Sequence, residues 1–150
     1  MIHFIPEIQT KLSEIQSIAY VDEDTGQLDN YSPNFPVKWP CALIDISSVV
    51  FSDIGKDRKK TPINRQNASG DIVITVANLK LTNTSKLAPV GQKQHAWSIH
   101  EEIQNIHEKL QGFRILENTS RLVRKRFRRT KRDDGVQQYE ITYGIEATDV

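Results

Sequence analysis

The sequence predicts an α+β fold: an antiparallel sheet of about four strands, two helices packed on one of its faces, and long loops at the hairpin ends. Three observations carry that expectation. Residues 95–113 space their apolar side chains at helical intervals. Residues 38–52 and 71–81 alternate in the manner of strands. The elements follow the order helix, two strands, helix, two strands, which suits an antiparallel sheet with its helices on one side.

The segment 3–18 reads as the first helix, with Pro6 in its opening turn, Glu7 near the positive end of the helix dipole, and Ile8, Leu12, Ile15 and Ile18 on one stripe. Residues 22–37 are rich in Asp, Asn, Gly and Pro and read as a loop. That loop is far longer than the usual connection of about 4–6 residues, so it implies mobility or contact with a partner. In 38–52, Cys41, Leu43 and Asp45 alternate with Ala42, Ile44 and Ile46, and Pro40 marks the strand start or an edge. Residues 53–69 form a second long polar segment. Past Gly70, Ile72, Ile74 and Val76 alternate with Val73, Thr75 and Ala77, closing a hairpin with an extended tip.

Residues 82–94 read as a loop into the central helix. On that helix Ala96, Ile99, Ile103, Ile106 and Leu110 share a face, and Trp97 widens it. Gly112 suits a left-handed cap, with Phe113 folding back as its hydrophobic contact. A helix of this length is marginal alone in water, so its stripe must lie on an apolar sheet. Residues 114–131 read as a third strand, Asp133, Asp134 and Gly135 as a tight turn, and 136–147 as a fourth strand.

The chain has 150 residues, enough for one domain spanning 1–150 with a substantial core. No apolar run approaches the roughly 20 residues of a membrane span, and the first residues lack the pattern of a secretory signal. A single cysteine, Cys41, excludes an internal disulfide and reads as a buried small hydrophobe, which fits a reducing compartment. Net charge is +1, unevenly spread: −6 over residues 1–54, +4 over 55–120, +8 over 121–132 and −5 over 133–150. His100 begins a His-Glu-Glu-Ile-Gln string that lacks the second histidine of a zinc-protease helix. His100 and His107 stand two turns apart, about 10 Å by helix rise, too far to share one metal. No phosphate loop, serine elbow or calcium loop is present. Neither a cofactor nor catalysis is expected.

The densest signal is the basic run holding Arg121, Arg124, Lys125, Arg126, Arg128, Arg129, Lys131 and Arg132. As a strand it places Val123 and Phe127 with Lys125 and Arg129 on one face, and Leu122, Arg124, Arg126 and Arg128 on the other. Four readings fit it: a solvated edge strand that resists aggregation, pairing with the acidic N-terminal part of a neighbouring subunit, a surface past which DNA travels, and sequence-specific nucleic-acid binding. Lys56, Arg58, Lys59 and Lys60 at the hairpin tip read either as a solvated loop or as an addition to a basic rim, and they join Tyr31 and Phe35 of the first long loop as candidate contact residues.

Taken together, the N-terminal helix, KWPCALIDI, the hairpin ending in GDIVITVANL, the helix WSIHEEIQNIHEKLQGF and the closing pair ending in YEITYGIEA resemble the tail-terminator or tail-completion proteins of tailed bacteriophages. The loop at 22–37 and the basic run have no residue-by-residue match in that family. The resemblance implies a non-enzymatic phage or prophage subunit that forms a homo-oligomeric ring, commonly a hexamer. Such a ring caps the tail tube and joins it to the head connector. Its implied partners are further copies of itself, the tube protein, the connector protein and DNA in transit, with no membrane. It implies assembly in the host bacterial cytoplasm and residence in the virion tail. On this view the loops reach neighbours or the tube, and residues 121–132 lie at a subunit boundary or face the channel. The rival expectation is a nucleic-acid-binding module built on the basic strand.

Overall fold

A computed structural model describes residues 3–29, 36–79 and 84–150. Helix α1, Phe4–Leu12, buries Phe4, Ile8 and Leu12 at four-residue spacing. It is shorter than the predicted 3–18. The Ser13 hydroxyl donates back to the Gln9 carbonyl at 2.7 Å, and the chain leaves the helix in tight turns that still bury Ile15 and Ile18.

Those turns deliver a strand that the alternation did not reveal. Strand β1, Tyr20–Glu23, runs parallel to β2, Cys41–Lys56. The sheet is therefore five-stranded and mixed, in the order β1-β2-β3-β5-β4, where four antiparallel strands were expected. The strand has only four residues, two of them acidic. It is held by Val21 packing into the main core and Tyr20 on the opposite face. Short, charged edge strands of this kind carry almost no periodic signal.

Strand β3, Asn64–Leu79, pairs antiparallel with β2 along both lengths, from Cys41↔Ala77 to Lys56↔Asn64. The polar segment expected at 53–69 is thus mostly strand, and only residues 57–63 connect it. Its backbone partners lie across the hairpin, so it needs no buried face to form. Irregularities at Ile46/Ser48 and Asp53/Gly55 bend the ribbon. Gly70 sits opposite the first of them, where an added Cβ would lie 2.6 Å from the Ser48 carbonyl oxygen.

The expected rod at 95–113 is two helices. Helix α2, Val90–Ala96, occupies part of the predicted 82–94 loop, and α3, Ser98–Leu110, follows after a break at Trp97. Ile99, Ile103, Ile106 and Leu110 are buried as the stripe requires, while Trp97 turns outward and is 47% exposed. Gly112 adopts φ 79°, as its capping position suggests, but its N–H donates to the Leu122 carbonyl rather than back into the helix. Residues 113–122 form a small closed loop, tied by the Arg114↔Arg121 bridge, in place of the first half of the predicted third strand. Strand β4 is only Val123–Thr130, and β5 is Val136–Ala147.

Helices α1 and α3 cover one face of the sheet. Their stripes meet Ala42 and Ile44 of β2, Ile72, Ile74 and Val76 of β3, and Tyr139, Ile141, Tyr143 and Ile145 of β5. On the other face Leu28 and Trp39 pack with Cys41, Leu43, Ala77 and Val136 in a smaller cluster. Cys41 is fully buried and its thiol is pushed up to about 12 by desolvation, so it stays protonated at neutral pH.

Candidate assembly interface

The basic run forms an outer edge of the sheet. Among the described residues β4 pairs only with β5, from Val123↔Gly144 to Thr130↔Gln138. A bulge between Arg124 and Arg126 breaks the simple alternation. Phe127 lies opposite Ile141 and Arg129 opposite Tyr139, so both join Arg124 on the helix side. Arg126 and Arg128, opposite Thr142 and Glu140, take the other side. The bulge releases Lys125 from the expected company of Phe127 and Arg129. Its stem crosses Gly144, where an added Cβ would sit 2.7 Å from Cδ, and its ammonium donates to Asp71 on β3 at 2.8 Å.

The cations of this run have four fates. Lys125 pairs with Asp71, and Arg128 pairs with Glu140 at 3.2 Å, so part of the +8 is answered within the sheet. Arg121 donates to the Gly112 carbonyl at 2.8 Å and fastens the 113–122 loop. Arg132 is buried: it bonds Asp134 at 2.6 Å, Gln138 at 2.9 Å and the Leu28 carbonyl. That side chain ties the turn after β4 to the segment before residue 30, and it holds the Asp134 carboxyl below the usual range. Arg124, Arg126, Arg129 and Lys131 make no ion pair among the described residues, and all four are exposed. Arg132→Ala is accordingly expected to destabilise the fold by about 2–3 kcal/mol through lost charged hydrogen bonds. Arg126→Ala is expected to stay within about 0.5 kcal/mol of the parent. Paired urea unfolding curves check both.

Apolar groups accompany the charge. Val123 and Phe127 are 54% and 49% exposed. The Phe127 ring stacks on Tyr139 at 5.2 Å, and Arg129 stands 5.9 Å from the same ring. Next to it, His107 stacks on Tyr143, and the two share a 3.2 Å hydrogen bond. Burial, then the nearby Arg124 charge, lowers the His107 pKa below its ordinary 6.5. The unfolded chain therefore binds this proton more tightly. Stability from the neutral ring is complete above about 6.5 and is lost as pH falls from there through the folded value. His107→Gln is expected to flatten the pH dependence of unfolding below about 6.5, checked by denaturant melts between about pH 5 and 7.5.

The second candidate surface is the arm made by the distal halves of β2 and β3. Pairing of β3 with β5 ends at Ala68↔Ala147. Beyond it a two-stranded ribbon continues for about five residues, roughly 17 Å at strand rise. Its tip is closed by Asp57, which accepts the Lys59 N–H at 2.9 Å. Residues 148–150 brace one side: Val150 and Gln66 exchange backbone bonds, and Asp149 bonds Arg65 at 2.6 Å and the Lys60 ammonium. Lys56, Arg58 and Lys59 remain exposed as expected, and Lys60 is drawn back onto Asp149. The alternation did not single out the apolar load of the arm. Val50, Phe51, Ile54 and Ile63 are 47–70% exposed. The available signal was large apolar residues set within an otherwise polar stretch. Tyr31 and Phe35 lie outside the described residues.

The architecture defines an α+β domain whose mixed sheet carries two helices on one face and projects a long antiparallel ribbon from its middle strands. No family model matches the chain, and no curated protein matches it. Among solved structures it is similar to a chain of the virion of a native gene transfer agent (GTA) particle, at a TM-score of 0.50 and 11% identity over 94% of this chain and 91% of that one. The likeness covers nearly the whole of both chains and is one of fold.

Proposed function

We propose that this chain is a non-enzymatic structural subunit of a virion tail, of the terminator or completion type, working as a homo-oligomeric ring between tail tube and head connector. The observation that carries the proposal is the arm and its root: the braced ribbon leaves Ile54 and Ile63 in water, and Val50 and Phe51 are exposed where it leaves the sheet, opposite Ser69 and Ala68. Apolar side chains collected on a projection have no use within the monomer and suit contact with other subunits. The shared fold with a virion chain supports the same role. Sedimentation velocity over a range of concentrations tests it. A discrete, ring-sized species is expected, and negative-stain images of that species are expected to show annular particles.

A second reading rests on the exposed Arg124, Arg126 and Arg129 of β4: non-specific contact with nucleic acid. It predicts duplex binding that weakens with salt at a log–log slope near −0.9 for each neutralised phosphate. A monomer that binds duplex DNA at physiological salt would favour this reading over the ring.

A further inference from the structure

The outer edges of the sheet differ in what their backbones have left to bond. Along β1 the outward groups are taken within the subunit. The Val21 carbonyl accepts the Gln9 amide at 2.9 Å, the Glu23 carbonyl accepts the Gln27 amide at 2.9 Å, and the Glu23 N–H donates to the Asp22 carboxylate at 2.8 Å. β4 is different. Glu146 donates its N–H to the Ser120 hydroxyl and accepts the Ser120 N–H on its carbonyl, so the even-numbered residues of β5 turn their backbone groups toward β4. Arg126, Arg128 and Thr130 lie opposite Thr142, Glu140 and Gln138 and take those bonds. Phe127 and Arg129 therefore turn N–H and C=O outward, with no partner among the described residues. A second open stretch lies on β2. Strand β1 flanks it only as far as Ile44, whose outward carbonyl accepts the Asp24 N–H at 2.8 Å. Ile44 lies opposite Ile74, and Val49, Phe51 and Asp53 lie opposite Gly70, Ala68 and Gln66, even steps along β3. These three therefore turn outward as well, again with no backbone partner among the described residues. We infer that the two open stretches pair between copies, residues 49–53 of one subunit against 124–129 of the next, so that the sheet continues at the root of the arm.

Direction, face and side chains agree on this pairing. β4 runs with β3, opposite to β2. A second copy set beside the first in the same sense keeps the helices on one side and brings β4 antiparallel to β2. Phe51 lies opposite Ala68 and Phe127 opposite Ile141, both members of the main core, so both rings stand on the helix side. With Phe127 set against Phe51, Arg129 meets Val49. The bulge then brings Arg124 opposite Asp53, because Arg124 and Phe127 span two steps of β5, as Asp53 and Phe51 span two steps of β3. The Arg124 N–H is held by the Gln111 side chain at 2.8 Å, so Arg124 contributes its guanidinium, and Phe127 and Arg129 contribute the backbone bonds. Asp53 is exposed and bonds only the neutral Gln66 amide among the described residues, which leaves its charge for that guanidinium. Phe51 and Phe127, 47% and 49% exposed in the single subunit, cover each other as a cross-strand pair. β4 against β4 would instead set cation on cation, which destabilises a sheet. The contact joins two different patches of the chain, so it builds a ring or a filament. The inference rests on the ring reading above and assigns its subunit contact.

Disulfide trapping tests it. In this register Val50 lies opposite Arg128 as a non-hydrogen-bonded pair, with Cα atoms about 4.5 Å apart and within disulfide reach. Cys41 is fully buried, so new thiols react against a quiet background. The chain carrying both Val50→Cys and Arg128→Cys, oxidised and run on a non-reducing gel, is expected to give a ladder of dimers, trimers and larger species. The two single variants mixed are expected to give dimers only, and each alone none. Homodimers from either single variant alone would overturn the inference in favour of symmetric pairing of β2 or of β4. Absence of disulfides while the unmodified chain still sediments as a ring would overturn the edge assignment and leave the ring reading standing. Absence of both would end the two together. A charge exchange guards against a local effect of the cysteines. Arg124→Asp and Asp53→Arg are each expected to weaken self-association about tenfold, because each sets like charges opposite one another. The chain carrying both is expected to recover the parent's association. A double variant that associates no better than the single ones would overturn the pairing.

Discussion

Replacing Ile106 with alanine is expected to cost about 2–5 kcal/mol, the range for deleting a large side chain from a core that collapses only partly. Ile106 is fully buried on α3, between Ile103 and Leu110 on one stripe, against β5 and β3. A domain of this size holds about 5–15 kcal/mol in all, so the loss is a large share of the whole. It should appear as a lower urea midpoint at unchanged slope, and as a fall in Tm of about 2–4 °C per kcal/mol. Trp97→Ala offers the contrast. The periodicity puts Trp97 on the same stripe, yet it sits at the break between α2 and α3 and is 47% exposed. Its loss is expected to stay near about 0.5 kcal/mol, as for surface positions away from special features. Equal losses at the two positions would contradict the helix break.

This pair also marks how far the sequence could be read. Ile99, Ile103, Ile106 and Leu110 announce a helix because burial on one side leaves a three-and-four spacing, and the structure buries all four. The alternating stretches around Leu43 and Ile74 announce strands for the same reason, each being buried by its neighbours. What escaped is structure held by something other than a buried stripe. Strand β1 is four residues held by backbone pairing to β2. The distal ribbon is solvated on both sides and is held by cross-strand bonds and by Asp149 on Arg65, a contact between residues 84 positions apart. The bulge at Lys125 shifts the faces of β4 by one residue, and nothing in a run of arginines and lysines marks where that happens. Within the candidate interface, the identity of the basic edge was legible from composition. Its division into Lys125 and Arg128, paired across the sheet, Arg132, held as a clamp, and Arg124, Arg126 and Arg129, left facing water, depends on Asp71 and Glu140 from other strands and on Asp134 and the Leu28 carbonyl at the turn.

Exchange of Val50, Phe51, Ile54 and Ile63 for serine is expected to abolish assembly while leaving the monomer folded. The four side chains are 47–70% exposed, so the monomer gains little from them. In a subunit boundary the same side chains would be buried, each large one worth roughly 1.5–3 kcal/mol. Losing four such contacts from an interface that repeats around a ring removes far more than the margin of a typical association. The ribbon itself should persist, since its pairing from Ser52↔Asn67 to Lys56↔Asn64 is made by the backbone and its flank is tied to residues 148–150. Circular dichroism and urea unfolding of the quadruple variant should therefore match the parent, while sedimentation velocity should find only monomer. The opposite pattern, a variant that unfolds early yet still assembles, would mean that the exposed apolar groups serve the fold of the arm itself, and the arm would no longer support a ring.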